Sequence, residues 1–240
     1  MGEWIFDTPE AVIRVSASRV VQVVRQATQA RGVCTVALPG GGSPLSLFAR
    51  LVQPPQVGEI PWEQVHLFWG DERCVPLDDP RSNAGQAKRL CEGGFTPPAA
   101  NVHRIQGELG PDEAARQYDA LLREFFQASG DEPPVFDLVI LGMGADGHTA
   151  SLYPGDAALN ETRRWAVGVC PPPQADPPVA RVSLTLPVFN AARQALFFVM
   201  GQGKRQALQR VRAGDKSLPA ALVQPVKEPV WILDEAIAKQ

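Results

Sequence analysis

Short, unbroken apolar runs constrain this chain more than any other feature. Six of them recur: GVCTVAL at 32–38, QVHLFW at 64–69, FDLVILG at 136–142, WAVGVC at 165–170, ALFFVM at 195–200 and PVWIL at 229–233. A strand with one wet face alternates polar and apolar residues, whereas a continuous run marks a strand covered on both faces, as in a parallel sheet. Helical patterns lie between the runs. TPEAVIRVSASRVVQVVRQATQA has Thr8 placed to cap a helix that starts at Pro9. PDEAARQYDALLREFF opens with Pro111 and two acids, which suit the positive end of a helix, and Ala114, Tyr118, Leu121, Leu122 and Phe125 share one face. GKRQALQRVRA follows the 195–200 run. Strands alternating with helices predict an α/β fold with a largely parallel sheet and helices on both faces. There is no internal repeat. The proline-rich stretches at 53–61, 97–98, 171–178 and 219–229 read as loops rather than linkers, so residues 1–240 are expected to form a single domain.

Charge and cysteine usage narrow the function. A net charge of -3 offers no general attraction to nucleic acid or anionic lipid. No apolar run approaches the roughly 18–20 residues of a membrane span. MGEWIFDTPEAV lacks the basic start and apolar stretch of a secretory signal, and Phe6 stands where a myristoylation signal needs Ser or Thr. Cys34, Cys74, Cys91 and Cys170 are scattered, with no paired spacing. They are expected to be free buried thiols in a reducing cytoplasm, with no metal site.

In open α/β sheets, ligands bind beyond the carboxyl ends of the strands. Three unusual segments fall there. LPGGGSPLSLF follows the 32–38 run. Its glycines allow close approach of the backbone, Ser43 offers a hydroxyl, and Pro44 is expected to start a helix. Free amides at a helix start attract an anion, and phosphate is the natural guest. No Gly-Lys-Ser/Thr follows, so it is not a Walker loop. FWGDERCVPLDDPRSN follows the 64–69 run and brings Asp71, Glu72 and Arg73 together. Arg73 can clamp an anion or stabilise developing negative charge. The residues alone fit a surface salt-bridge cluster equally well. GMGADG, at 142–147, matches GxGxxG literally. A dinucleotide fold wants an acid about 20 residues on, at the end of the next strand, and that strand ends in Cys170 and prolines. What remains is a glycine turn presenting Asp146 and His148. A neutral imidazole is well suited to taking a proton from water. His66, inside an apolar strand, and His103, in an irregular segment, read as structural.

LPGGGSP, GDER, DPRSN, GMGADGHTASLYPG, RVSLTLPVFNAAR and GQGK, in this order, resemble the 6-phosphogluconolactonase family across essentially the whole chain. They resemble more distantly the glucosamine-6-phosphate deaminases and isomerases of the same fold. The deaminases continue from Asp-Gly-His toward Asn-Glu-Pro-Gly; here Tyr153 takes the place of that glutamate. A phenol with a pKa near about 10 cannot act as that carboxylate at neutral pH. Pro39-Gly40-Gly41-Gly42 is closer to the deaminase form of the first loop.

The resemblance implies a Rossmann-like fold and hydrolysis of 6-phospho-D-glucono-1,5-lactone in the oxidative pentose phosphate pathway. It implies His148 as general base, with Asp71 or Asp146 orienting it. Arg73 would stabilise charge on the carbonyl or leaving oxygen, with the Gly144 backbone N–H. Gly40, Gly41, Gly42 and Ser43 would hold the phosphate, Arg181 and Lys204 would close on it, and Ser82 and Asn83 would line the sugar. No metal or redox cofactor is required. The partner is a small sugar-phosphate lactone, and the expected state is a monomer or weak homo-oligomer in the cytoplasm. A deaminase or isomerase of amino-sugar phosphates and a non-catalytic sugar-phosphate sensor are the alternatives.

Overall fold

A computed structural model describes residues 2–92, 94–95 and 97–239. The strands are β1 (Gly2–Phe6), β2 (Cys34–Leu38), β3 (Val65–Trp69), β4 (Asp71–Arg73), β5 (Val102–His103), β6 (Leu138–Leu141), β7 (Ala166–Val169), β8 (Arg181–Leu184), β9 (Ala195–Val199) and β10 (Val230–Asp234). Seven form a sheet in the order β1-β10-β9-β6-β2-β3-β5, in which every pairing is parallel. The helices are α1 (Pro9–Arg31), α2 (Gly42–Leu51), α3 (Gln56–Glu59), α4 (Asn83–Cys91), α5 (Pro111–Phe125), α6 (Leu186–Ala191), α7 (Arg205–Arg212), α8 (Pro219–Leu222) and α9 (Glu235–Ala238).

Five of the six apolar runs become β2, β3, β6, β9 and β10 of this sheet, and all residues of β2, β6 and β9 are buried. The sixth does not join them. Residues 165–170 supply β7, which pairs antiparallel with β8 in a second sheet of order β4-β8-β7. Continuous apolar composition reports cover on both faces, and β7 has that cover without belonging to the parallel sheet. Gly70 is the crossing point. Its N–H still donates to Leu38 of β2 at 2.8 Å, while its carbonyl accepts from Leu184 of β8 at 2.8 Å.

The expected helix signals hold. The Thr8 side chain accepts from the Ala11 N–H at 3.2 Å, and Val12, Ala17, Val20, Val21 and Val24 of α1 are buried. Pro111 opens α5, which buries Ala114, Tyr118 and Leu122. The Tyr118 hydroxyl accepts from the Trp69 N–H and donates to the Trp69 carbonyl, both at 3.0 Å, tying α5 to the end of β3. α2 starts at Gly42, two residues before the proline expected to open it. A proline within the first turn removes no intrahelical bond.

His66 and His103 are structural, as expected, but His103 lies in β5 rather than in an irregular segment. Its Nε2 is 3.0 Å from Nδ1 of His66; His103 stacks on Phe68, and both imidazoles meet the Phe125 ring at an angle. The four cysteines are free; Cys34 and Cys91 are buried, Cys74 is half-buried, and Cys170 is exposed where the chain leaves β7. The expectation of four buried thiols is therefore corrected at Cys74 and Cys170. Burial pushes the Cys34 thiol up to about 12. Among the described residues, no helix is long and apolar enough to cross a membrane.

The chain leaves β2 for β3 on one side, while β6 lies on the other. The turns after β2 and β6 thus face each other across the switch point of the sheet, where a ligand crevice is expected.

Candidate active site

A cleft of about 260 Å³ opens at that point. Gly40, Gly41 and Ser43 form one wall, at the start of α2. For Gly42 only the backbone, as the first residue of α2, is described. Gly40 must lack a side chain: a Cβ there would lie 2.2 Å from the Asn83 amide nitrogen. Asn83 therefore braces the loop from behind. Its amide also donates to the Asp71 carbonyl at 2.9 Å.

Asp71, Glu72 and Arg73 of the Gly-Asp-Glu-Arg segment form β4, and the three charged side chains part ways. Asp71 lines the cleft and accepts a 2.6 Å hydrogen bond from the Ser151 hydroxyl. Glu72 takes no part in the cleft. It accepts from the backbone N–H groups of Arg73, Asn83 and Ala84 at 2.7–2.8 Å and so holds the start of α4. Burial pushes its carboxyl above the usual range against the pull of those amides. Arg73 lines the cleft and donates to the Arg81 carbonyl at 2.7 Å.

Directly across the β4–β8 pairing from Arg73 stands Arg181. It donates to the Pro177 carbonyl at 2.9 Å and also lines the cleft. Both arginines are at least nine-tenths buried, and the Nε of each lacks a hydrogen-bond partner among the described residues. Neither forms an ion pair among the described residues, although an isolated buried cation is expensive. Lys204 completes this cationic wall from a short 3₁₀ turn, Gln202–Lys204. Burial pulls its ammonium below the usual lysine range, with Asp234 acting the other way.

His148 enters from the turn after β6. Its Nδ1 is 2.6 Å from Oδ1 of Asp146, and its backbone N–H donates to the same oxygen at 3.1 Å. Of the two carboxylates weighed from the sequence, Asp146 is the one in contact with the imidazole, and Asp71 accepts from Ser151. Burial pushes the Asp146 carboxyl up, but the hydrogen bonds and charge of His148 outweigh it and leave it below the usual range. With Nδ1 facing a carboxylate, Nε2 is the nitrogen left to accept a proton.

Gly144 serves a different purpose from the one expected. Its N–H already donates to the His148 carbonyl at 2.9 Å. Its missing side chain is what matters, because a Cβ there would lie 2.2 Å from His148 Nδ1. Ser82 is also turned away. It caps α4, accepting from the Gly85 N–H at 3.0 Å and donating to Glu72 at 3.1 Å. Ser82 and Asn83 therefore stand behind the cleft rather than along it. Sequence reasoning passed over Ser151 as a functional residue, and it gave Tyr153 no part in the cleft that it lines. Their signal was position alone, three and five residues beyond the histidine.

Cationic donors beside a carboxylate-paired imidazole, at the switch point of a largely parallel sheet, are the arrangement expected of an enzyme site. Comparison with known proteins gives the lineage. Residues 7–232 match the family described as glucosamine-6-phosphate isomerases/6-phosphogluconolactonase, and the chain belongs to that family. Human 6-phosphogluconolactonase is 42% identical over 205 residues, 83% of this chain and 78% of that protein. The Synechocystis 6-phosphogluconolactonase is 37% identical over 216 residues, 88% and 86% of the two chains. The solved 6-phosphogluconolactonase of Trypanosoma brucei superposes with a TM-score of 0.87 at 25% identity, covering 99% of this chain and 97% of that one. A monomeric glucosamine-6-phosphate deaminase, at 16% identity and a TM-score of 0.82 over 99% of both chains, shares the fold.

Proposed function

We propose that this chain hydrolyses 6-phospho-D-glucono-1,5-lactone to 6-phosphogluconate in the oxidative pentose phosphate pathway, with His148 activating the water. The observation that carries the mechanism is the 2.6 Å contact between Asp146 and His148 Nδ1 on the wall of a cationic cleft. Nε2 takes a proton as the water oxygen bonds to the lactone carbonyl carbon. The carbonyl oxygen becomes an oxyanion beside the Arg73 guanidinium. The ring C–O bond then breaks, the ring oxygen takes the proton back from the imidazolium, and the product acid ionises. Asp146 favours the imidazolium that forms between these steps. The phosphate lies on the Gly41 and Ser43 backbone, with Arg181 and Lys204 closing on it.

The same reading takes residues 1–240 as one lactonase domain, a monomer or weak homo-oligomer with no nucleic-acid partner. The free cysteines support a cytoplasmic setting.

The test is release of 6-phosphogluconate from freshly made lactone, measured over the spontaneous rate with wild type and His148→Ala. Glucosamine 6-phosphate runs in parallel, scored for ammonia. Acceleration by wild type alone, without ammonia, is expected. Equal rates for the two proteins would remove His148 from the chemistry, and ammonia would move the chain to the deaminases.

A further inference from the structure

Tyr153 lines the cleft, and the mechanism above gives it no task. Tyr153 stands with its ring 4.8 Å from that of His148, centroid to centroid, and with the Arg181 guanidinium carbon 6.0 Å from its own centroid. It spans the interval between the base and the anion-binding arginine. The residue is 3% exposed and packs with Val167, Val169 and Ala175. Its hydroxyl has no hydrogen-bond partner among the described residues. A buried hydroxyl without a partner costs stability, and phenylalanine would pack the same ring without that cost. The same deficiency recurs at Nε of Arg73 and Nε of Arg181, which line the same cleft. Of nine buried side-chain polar atoms without a partner among the described residues, three belong to side chains that line this one cleft, and that concentration points to a guest. The phenol is suited to donate: burial pushes its pKa up, and the nearby Arg181 only partly opposes that.

We propose that Tyr153 is a specificity-determining residue whose hydroxyl donates a hydrogen bond to a sugar oxygen of the substrate, between the reacting carbonyl at His148 and the phosphate at Arg181. The identity of that sugar rests on the lactonase reading. The sugar, rather than the phosphate, is the partner because Tyr153 contacts both the base and the arginine and lies between them.

Titration calorimetry with 6-phosphogluconate and with inorganic phosphate, on wild type and Tyr153→Phe, tests this. The variant should bind 6-phosphogluconate about three- to tenfold more weakly. Its phosphate affinity should be unchanged, and its melting temperature should be equal or higher. Unchanged 6-phosphogluconate affinity, or no binding by wild type, overturns the proposal. Equal weakening toward both ligands overturns it too, by moving the hydroxyl to the phosphate. A lower melting temperature with no ligand selectivity would make Tyr153 merely structural. The lactonase reading is judged separately, by the rate assay on wild type. A protein that shows the Tyr153 effect in binding but does not accelerate hydrolysis loses that reading and keeps this one.

Discussion

Asp137 and Arg73 are both buried charged residues, one at the amino end of the parallel sheet and the other in β4, beyond its carboxyl end, and the fold treats them differently. Asp137 precedes β6 at the amino end. Its carboxylate accepts from Arg31 at 2.5 Å and from the Thr35 N–H at 2.9 Å, with Arg193 at 3.3 Å. Its charge is matched from within the chain. Beyond the carboxyl end, Arg73 and Arg181 are buried with donors to spare and, among the described residues, no carboxylate paired to either. The first arrangement holds β2, β6 and the end of α1 in register. The second leaves donors open toward the cleft, where the proposed reaction would bring an anion.

That contrast can be broken by experiment. The largest effect should come from His148→Ala, which removes the base and should lower kcat about 10²–10⁴-fold. The melting temperature should barely move, because the side chain is partly exposed and bonded only to Asp146 among the described residues. Asp137→Ala should do the reverse. It strands guanidiniums and the Thr35 amide, so chemical denaturation should show a loss of about 2–3 kcal/mol, discounted for the partial exposure of both arginines. Activity per folded molecule should persist. If Asp137→Ala lowered kcat without lowering stability, the division between the two ends would fail.

Arg181→Met comes next. Removing a buried unpaired cation should leave the free protein equally or more stable. One charge-assisted contact of about 1.5–3 kcal/mol should disappear from binding, raising KM roughly ten- to hundredfold. Added 6-phosphogluconate should then raise the melting temperature less than in wild type. A large loss of stability in the free variant would show Arg181 to be matched after all.

The smallest effect concerns His103. Burial, and then the neighbouring His66, lower its pKa from 6.5 to about 4. Between those values the unfolded chain binds more protons, so stability rises with pH across that window and falls as pH drops through it. The melting temperature should decline from about pH 6.5 toward 4, and His103→Phe should flatten the decline. A folded-state imidazole resonance titrating near 6.5 at His103 would contradict this.

Much of this was legible in the sequence, and the gaps have physical causes. Five strands announced themselves because burial on both faces leaves no polar residue in the run. β7 announced itself equally well and was assigned to the wrong sheet, since composition reports burial and is silent about partners. β4 could not be read as a strand at all: Asp-Glu-Arg is buried only because Ser151, the α4 amides and the Arg81 carbonyl meet its charges, and those residues lie eight or more positions away. The cleft's glycines and His148 were legible because special backbone needs and a lone imidazole leave marks. The choice between Asp71 and Asp146 was not, because it depends on which way each carboxylate turns. Ser82 was misplaced for a related reason. A serine before a helix caps it and reaches a ligand with the same hydroxyl, and only geometry separates the two.

Ser151 has one more consequence. The base rides on the turn of the parallel sheet, while both arginines belong to the antiparallel one. Ser151 joins them, through its hydroxyl to Asp71 at 2.6 Å and its N–H to Ser183 at 3.3 Å. The cleft therefore draws His148, the glycine loop and Lys204 from turns of the parallel sheet, and both arginines from the antiparallel one. The seam at Ser151 sets the offset between these two groups. Loosening it would shift the arginines against the imidazole without removing a single side chain from the cleft.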